Sequence, residues 1–188
     1  MPAPITEEQN RLDRDALLDA AERLFYEQGI QAVGMDEVRA ASGLPLKRIY
    51  RSFAAKEDLV VAVLRRRDQR WRASLAARVE AVVDPYERVL AIFDWLAEWF
   101  AEPGFRGCAW INAYGELGPA SEAVRAEVRS HKRAFHDQVA VWVHATGLAV
   151  VEPVFLLAEG AIVTAGISGD PAPARQAHAA VATLLGTP

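Results

Sequence analysis

Apolar side chains return every third or fourth position along most of this 188-residue chain, the spacing of helices that each bury one face. Residues 12–28 place Leu17, Ala20, Ala21, Leu24 and Phe25 on such a stripe. Asp13 and Asp15 sit near the positive start of that helix, and Gly29 closes it. Residues 1–11 hold two prolines and no repeat, which predicts a flexible arm. Met35, Val38 and Ala41 predict a short second helix, stopped at Ser42-Gly43 because glycine tolerates the left-handed backbone of a helix end. Pro45, with φ fixed and no N–H, fits the first turn of a third helix whose inward set is Leu46, Ile49, Tyr50 and Phe53. Lys47, Arg48 and Arg51 are left facing out.

The same spacing continues downstream. A long helix is predicted over residues 55–82, with Leu59, Val60, Val63, Leu64, Trp71, Leu75 and Val82 inward. Asp84-Pro85 opens a helix to residue 101, since an Asp cap before a proline satisfies its first turn. Residues 105–114 read as a short aromatic-rich connection or helix, and residues 120–146 as another long helix. The helix over 150–167 is apolar nearly all round, so it must be buried on every side. In so small a protein that requires a second subunit. Phe155, Ala158, Ile162, Ala165 and Gly166 are its expected dimer face, joined by Val181 and Leu184 from a last helix over 171–185. No strand pattern or repeat is present. The prediction is an all-α chain of about nine helices, with an arm (1–11), a three-helix helix-turn-helix domain (12–55) and a helical dimerisation domain (56–188). Helix 56–82 connects the last two.

Two helices joined by so tight a turn form a helix-turn-helix, and its second helix has the width of a DNA major groove. Charge supports this. The net charge is −4, yet residues 46–78 carry a balance of +7 against −5 before them and −6 after. A local basic patch on an acidic protein can bind phosphate while the remaining surface repels it. For Arg65, Arg66 and Arg67 taken alone, a solvated helix face competes evenly. At 52% apolar and 24% charged residues, the composition is that of a folded chain. The apolar stretches are interrupted or shorter than the roughly 20 residues that cross a bilayer, and no secretion signal is expected at the start. The single cysteine, Cys108, excludes an internal disulfide and fits a reducing cytoplasm.

Catalysis is not expected, nor a metal or cofactor. The four histidines form no HExxH pair, and Cys108 has no CxxC partner. His136 and His144 are eight apart on one helix, roughly 12 Å by rise, too far to share a metal. No phosphate loop or GxSxG is present. The competing reading is a helical ligand-binding or protein-interaction module without DNA, against which the basic patch argues.

Ala20-Ala21, Leu24-Phe25, Gly29, Asp36, Val38, Ala41, Gly43-Leu44, Ile49-Tyr50, Phe53, Lys56-Glu57 and Leu59 run in one order and spacing. Over residues 12–64 that pattern resembles the tetracycline-repressor (TetR) family of transcriptional regulators, and the remainder is similar to it only in helical plan. The resemblance implies a homodimer that sets two recognition helices in successive major grooves of a pseudo-palindromic operator, roughly 34–36 Å apart. It implies that Tyr50 and Lys56 hold phosphates with the Gly34 and Pro45 backbone, while Lys47, Arg48 and Arg51 reach base edges; Leu46 completes the expected contact set. The family usually has Thr at Gly34, Ser or Thr at Pro45, Gly at Lys47 and His or Tyr at Ser52, so an unusual operator is expected.

Five tryptophans and seven phenylalanines are many for this length. Trp71, Phe93, Trp99, Phe105, Trp110, Tyr114, Phe135, Trp142 and Phe155 sit on faces expected to converge, with Cys108, Asn112, Glu159 and His131 among them. Aromatic walls with a few polar groups describe a small-molecule pocket, and a plain aromatic core is the competing reading. The resemblance implies a repressor released from DNA when an apolar or aromatic ligand enters that domain.

Overall fold

The computed structural model describes residues 6–186, which form nine α-helices and no strand. They are α1 (Glu7–Gln28), α2 (Met35–Ser42), α3 (Leu46–Ser52), α4 (Lys56–Glu80), α5 (Pro85–Phe100), α6 (Ala109–Leu117), α7 (Glu122–His144), α8 (Val151–Ser168) and α9 (Ala172–Leu185). The chain forms two compact units. One contains the described residues up to Arg67 with Trp110–Val128; the other contains Asp68–Ala109 and the residues from Arg129 onward.

In the first unit α1 packs on α2 and α3 through Leu17, Ala21, Val38 and Ile49, all fully buried. The predicted arm is helical from Glu7. Thr6 accepts the Gln9 N–H at 3.1 Å, and Glu7 and Glu8 occupy the positive end. Composition concealed this start because its residues are all polar; the prolines of the arm lie outside the described residues. Gly43 closes α2 at φ 67°, as its sequence position predicts, and Pro45 is the N-cap of α3 rather than part of its first turn.

The inward set of α3 is smaller than the spacing suggests. Ile49 and Phe53 are buried, but Leu46 is 39% and Tyr50 50% exposed. Those two sit roughly 60° and 100° round the helix from Ile49, and a seven-residue helix has one inward turn to offer. Ala41 is likewise exposed on α2.

In the second unit α5, α8 and α9 pack together. Helix α8 has an inner and an outer side. Val154, Ala158, Ala161, Ile162 and Ala165 are buried, whereas Leu156 is 64% and Ile167 83% exposed. Gly166 faces inward as well, for a Cβ there would stand 2.7 Å from the Gly107 Cα. On α9, Val181 is buried and Leu184 exposed. The residues expected at the dimer face divide between these two sides. Ala158, Ile162, Ala165, Gly166 and Val181 pack inside their own unit, Phe155 is half-buried against Phe135, and only Leu184 is open. All-round apolarity could not reveal which side the chain itself uses. Helix α8 is also long and apolar enough to cross a membrane by length and composition, contrary to the expectation that no stretch would be.

Candidate nucleic-acid interface

The surface of α3 is set by which of its cations the first unit keeps for itself. Arg48 Nη1 lies 3.2 Å from both carboxylate oxygens of Asp13, which is 4% exposed. Arg51 Nη2 donates to Asn10 Oδ1 at 2.8 Å. Lys47 is exposed and has no hydrogen bond or ion pair among the described residues. Leu46 and Tyr50, four residues apart, share a side of the helix. Beside α3, the Arg14 guanidinium stacks 4.4 Å above the Phe53 ring. At the entry to α2, Glu37 Oε2 accepts the exposed Gly34 N–H at 2.9 Å.

Lys56, expected at a phosphate, is turned to the loop between α1 and α2. Its Nζ donates to the Ile30 and Val33 carbonyls and lies 5.8 Å from the Phe25 ring centroid. Burial is the strongest influence on the ammonium and lowers its pKa, against the opposing pull of Glu116 and Glu37. Glu116 holds the other side of the loop. Its carboxylate accepts the Ile30 N–H at 3.0 Å and the Gln31 N–H at 2.7 Å, and its carbonyl accepts from Gln31 Nε2. Sequence reasoning missed both Asp13 and Glu116 as partners. A signal for Glu116 exists, because it is the only charged residue in α6.

The basic run after the motif is not a free positive surface. Arg65 pairs with Glu127 at 2.7 Å; Arg66 pairs with Asp19 at 2.8 Å and Glu22 at 3.2 Å. Arg67 meets Glu22 at 3.0 Å and lies 4.1 Å over the Tyr26 ring. These three arginines bind α4 to α1 and α7 within the first unit. Three cations of the basic stretch are thus paired with acids of the same unit, although the Arg65 side chain remains 68% exposed.

The aromatic residues divide between the units. Trp110 is buried in the first, where Asn112 and Tyr114 are exposed on α6. In the second, Trp71 meets Trp95, Trp99, His131 and Phe135 edge-on, at centroid distances of 5.0–5.5 Å. Phe105 joins through Trp99 and Phe155 through Phe135; Phe93 and Trp142 are buried in the same unit. Polar groups thread this cluster. His131 Nδ1 lies 2.7 Å from Asp68, whose other partner is Arg72. Burial alone would raise the Asp68 carboxyl, but hydrogen bonds from His131 and Arg72 outweigh it and hold the pKa at about 2. Burial lowers the His131 pKa, with Asp68 pulling the other way. Burial thus favours the neutral form of the ring. Lys132 reaches Glu159 at 2.5 Å and the Cys108 sulfur at 3.5 Å. A groove of about 240 Å³ lies between α8 and α9, lined by Leu156, Gly160, Thr164 and Gln176 among others. No predicted pocket aromatic lines it.

The sequence pattern described as "Bacterial regulatory proteins, tetR family" matches residues 17–63, from the middle of α1 into α4. An uncharacterised helix-turn-helix regulator of Mycobacterium tuberculosis is 35% identical over 82 residues, 44% of this chain and 41% of its own length. The match thus spans under half of that relative. The regulator BetI of Rhizobium meliloti is 31% identical over 150 residues, covering 79% of this chain and 71% of BetI. A crystal structure of a TetR-family regulator from Streptomyces coelicolor superposes with a TM-score of 0.84 at 30% identity, covering 93% of this chain and 95% of that one.

Proposed function

Since the chain belongs to the TetR family of bacterial transcriptional regulators, we propose that it works in the cytoplasm as a homodimeric repressor that binds a pseudo-palindromic operator. The observation that carries this reading is α3. Ile49 is fully buried and fixes the helix to the first unit, while Leu46, Lys47 and Tyr50 project from its open side. An exposed helix carrying one uncommitted cation, an aromatic hydroxyl and an apolar tip suits a major groove. Lys47 and Tyr50 are its contact residues with Leu46, and the Gly34 and Pro45 backbone approaches phosphates. Arg51 sits at the rim, whereas Arg48 and Lys56 position the motif from within.

The second copy covers the outer side of α8 and α9. Leu156, Val163, Ile167 and Leu184 are large apolar residues left in solvent, and among the described residues nothing lies within 4 Å of where a Gly160 Cβ would stand. A two-fold interface uses one patch twice, so a single uncharged strip suffices. The effector is a small apolar or aromatic molecule that enters the Trp71 cluster by parting its edge-on rings. It shifts the DNA-bound population only if it prefers the released state.

The test is selection of bound duplexes from a randomised pool at near-physiological salt. Enrichment of an inverted repeat with half-sites about one helical turn apart is expected. Weak, salt-sensitive binding with no enriched sequence would overturn the reading.

A further inference from the structure

Every exposed side chain on α3 belongs to one of two i, i+4 pairs, Lys47 with Arg51 and Leu46 with Tyr50. Of the arginines that would supply bidentate guanine contacts, Arg48 is paired with the buried Asp13, and Arg51, at the far end of the helix, gives one hydrogen bond to Asn10. What remains at the first turn is an apolar tip, Leu46, next to the uncommitted Lys47. A major groove displays acceptors and donors on all four base pairs but only one apolar group, the C5 methyl of thymine. From this juxtaposition, and resting on the operator-binding reading above, we infer that Leu46 is a specificity-determining residue that reads a thymine methyl in each half-site.

The alternative for a solvent-exposed leucine is that it does nothing, since single exposed apolar residues are common. Position argues otherwise here. Leu46 opens the helix that meets the groove, and it follows Pro45, whose φ of −69° and missing N–H hold the entry to the helix rigid. A rigid entry gives the leucine a fixed depth. The reading has a chemical consequence: at that position a uracil must be distinguished from a thymine, although both present the same O4 acceptor.

The test uses full-length protein and the operator recovered by pool selection, with each thymine replaced in turn by deoxyuridine. The substitution removes one methyl and leaves base pairing intact. One symmetry-related thymine per half-site is expected to be sensitive, weakening binding about fourfold when changed once and about fifteenfold when changed in both half-sites. Leu46→Ala should bind the thymine and deoxyuridine operators equally. Leu46→Gln, which keeps the length and replaces the apolar tip, guards against a folding defect in the first variant and should also lose the distinction. Indifference of the wild-type protein to every thymine methyl would overturn the inference while leaving operator binding intact. So would sensitivity that persists in both variants, which would transfer the contact to Tyr50. Failure to recover any operator would instead overturn the parent reading and this one with it.

Discussion

On α3, Leu46 and Tyr50 stand in water beside Lys47 and Arg51, whereas on α8 Leu156, Val163 and Ile167 stand beside Gly160 and Thr164 with no cation on the helix. Both helices leave apolar surface uncovered by their own chain. Their length and company differ. Helix α3 offers about 10 Å of mixed surface, too little for a stable protein interface but the right width for a groove. Helix α8 offers about 27 Å without positive charge, which suits a copy of itself. Exposed apolar area therefore does not name a partner by itself; the charges interleaved with it do.

The largest expected effect breaks the α8 side of this contrast. Leu156→Glu with Ile167→Glu places unpaired carboxylates twice across a two-fold interface, at a cost of about 3–5 kcal/mol. Sedimentation should show a monomer, operator affinity should fall more than about 100-fold, and helical content should persist. A dimer that survives both changes would move the interface elsewhere. Next comes Arg48→Ala, which sharpens the α3 side. It leaves the buried Asp13 carboxylate without its cation and should destabilise the protein by about 1–3 kcal/mol in urea unfolding. The base preference of the selected operator should stay as it was; a relaxed base position would return Arg48 to the reading surface. The last test compares two glycines of α8, and its second member carries the smallest effect. Gly166→Ala meets the Gly107 backbone and should cost about 1–3 kcal/mol. Gly160→Ala meets nothing within 4 Å among the described residues, so in the monomeric double-Glu background it should stabilise by about 1 kcal/mol from helix propensity. Equal effects at both positions would erase the distinction between inner and outer side.

Helix order and the turn motif were legible in the sequence because capping and periodicity are local. Gly43, Asp84 and Pro85 stand at helix ends where their chemistry requires, and Ile49 and Val38 are buried as their spacing predicts. What stayed hidden depends on distant partners. Arg48 reads as an outward cation until Asp13, 35 residues away, claims it, and Arg65, Arg66 and Arg67 read as a patch until Glu22 and Glu127 do. A helix apolar all round, such as α8, gives no phase from which its inner side can be picked. Spacing alone does not show that α6 turns Asn112 and Tyr114 outward.

The loop over residues 30–33 has its N–H groups held by Glu116 and its carbonyls by Lys56, so a peptide segment of the reading head is satisfied from two places far apart in the chain. The consequence is one of modularity. A fragment cut where α4 leaves the first unit would retain the helix-turn-helix residues and the lysine but lose the carboxylate, leaving two loop amides to solvent or to strain. The reading head is thus not a cassette that can be excised or grafted by its sequence limits. A chimera that preserves its geometry must carry α6 along, or supply an acid that reaches the same two amides.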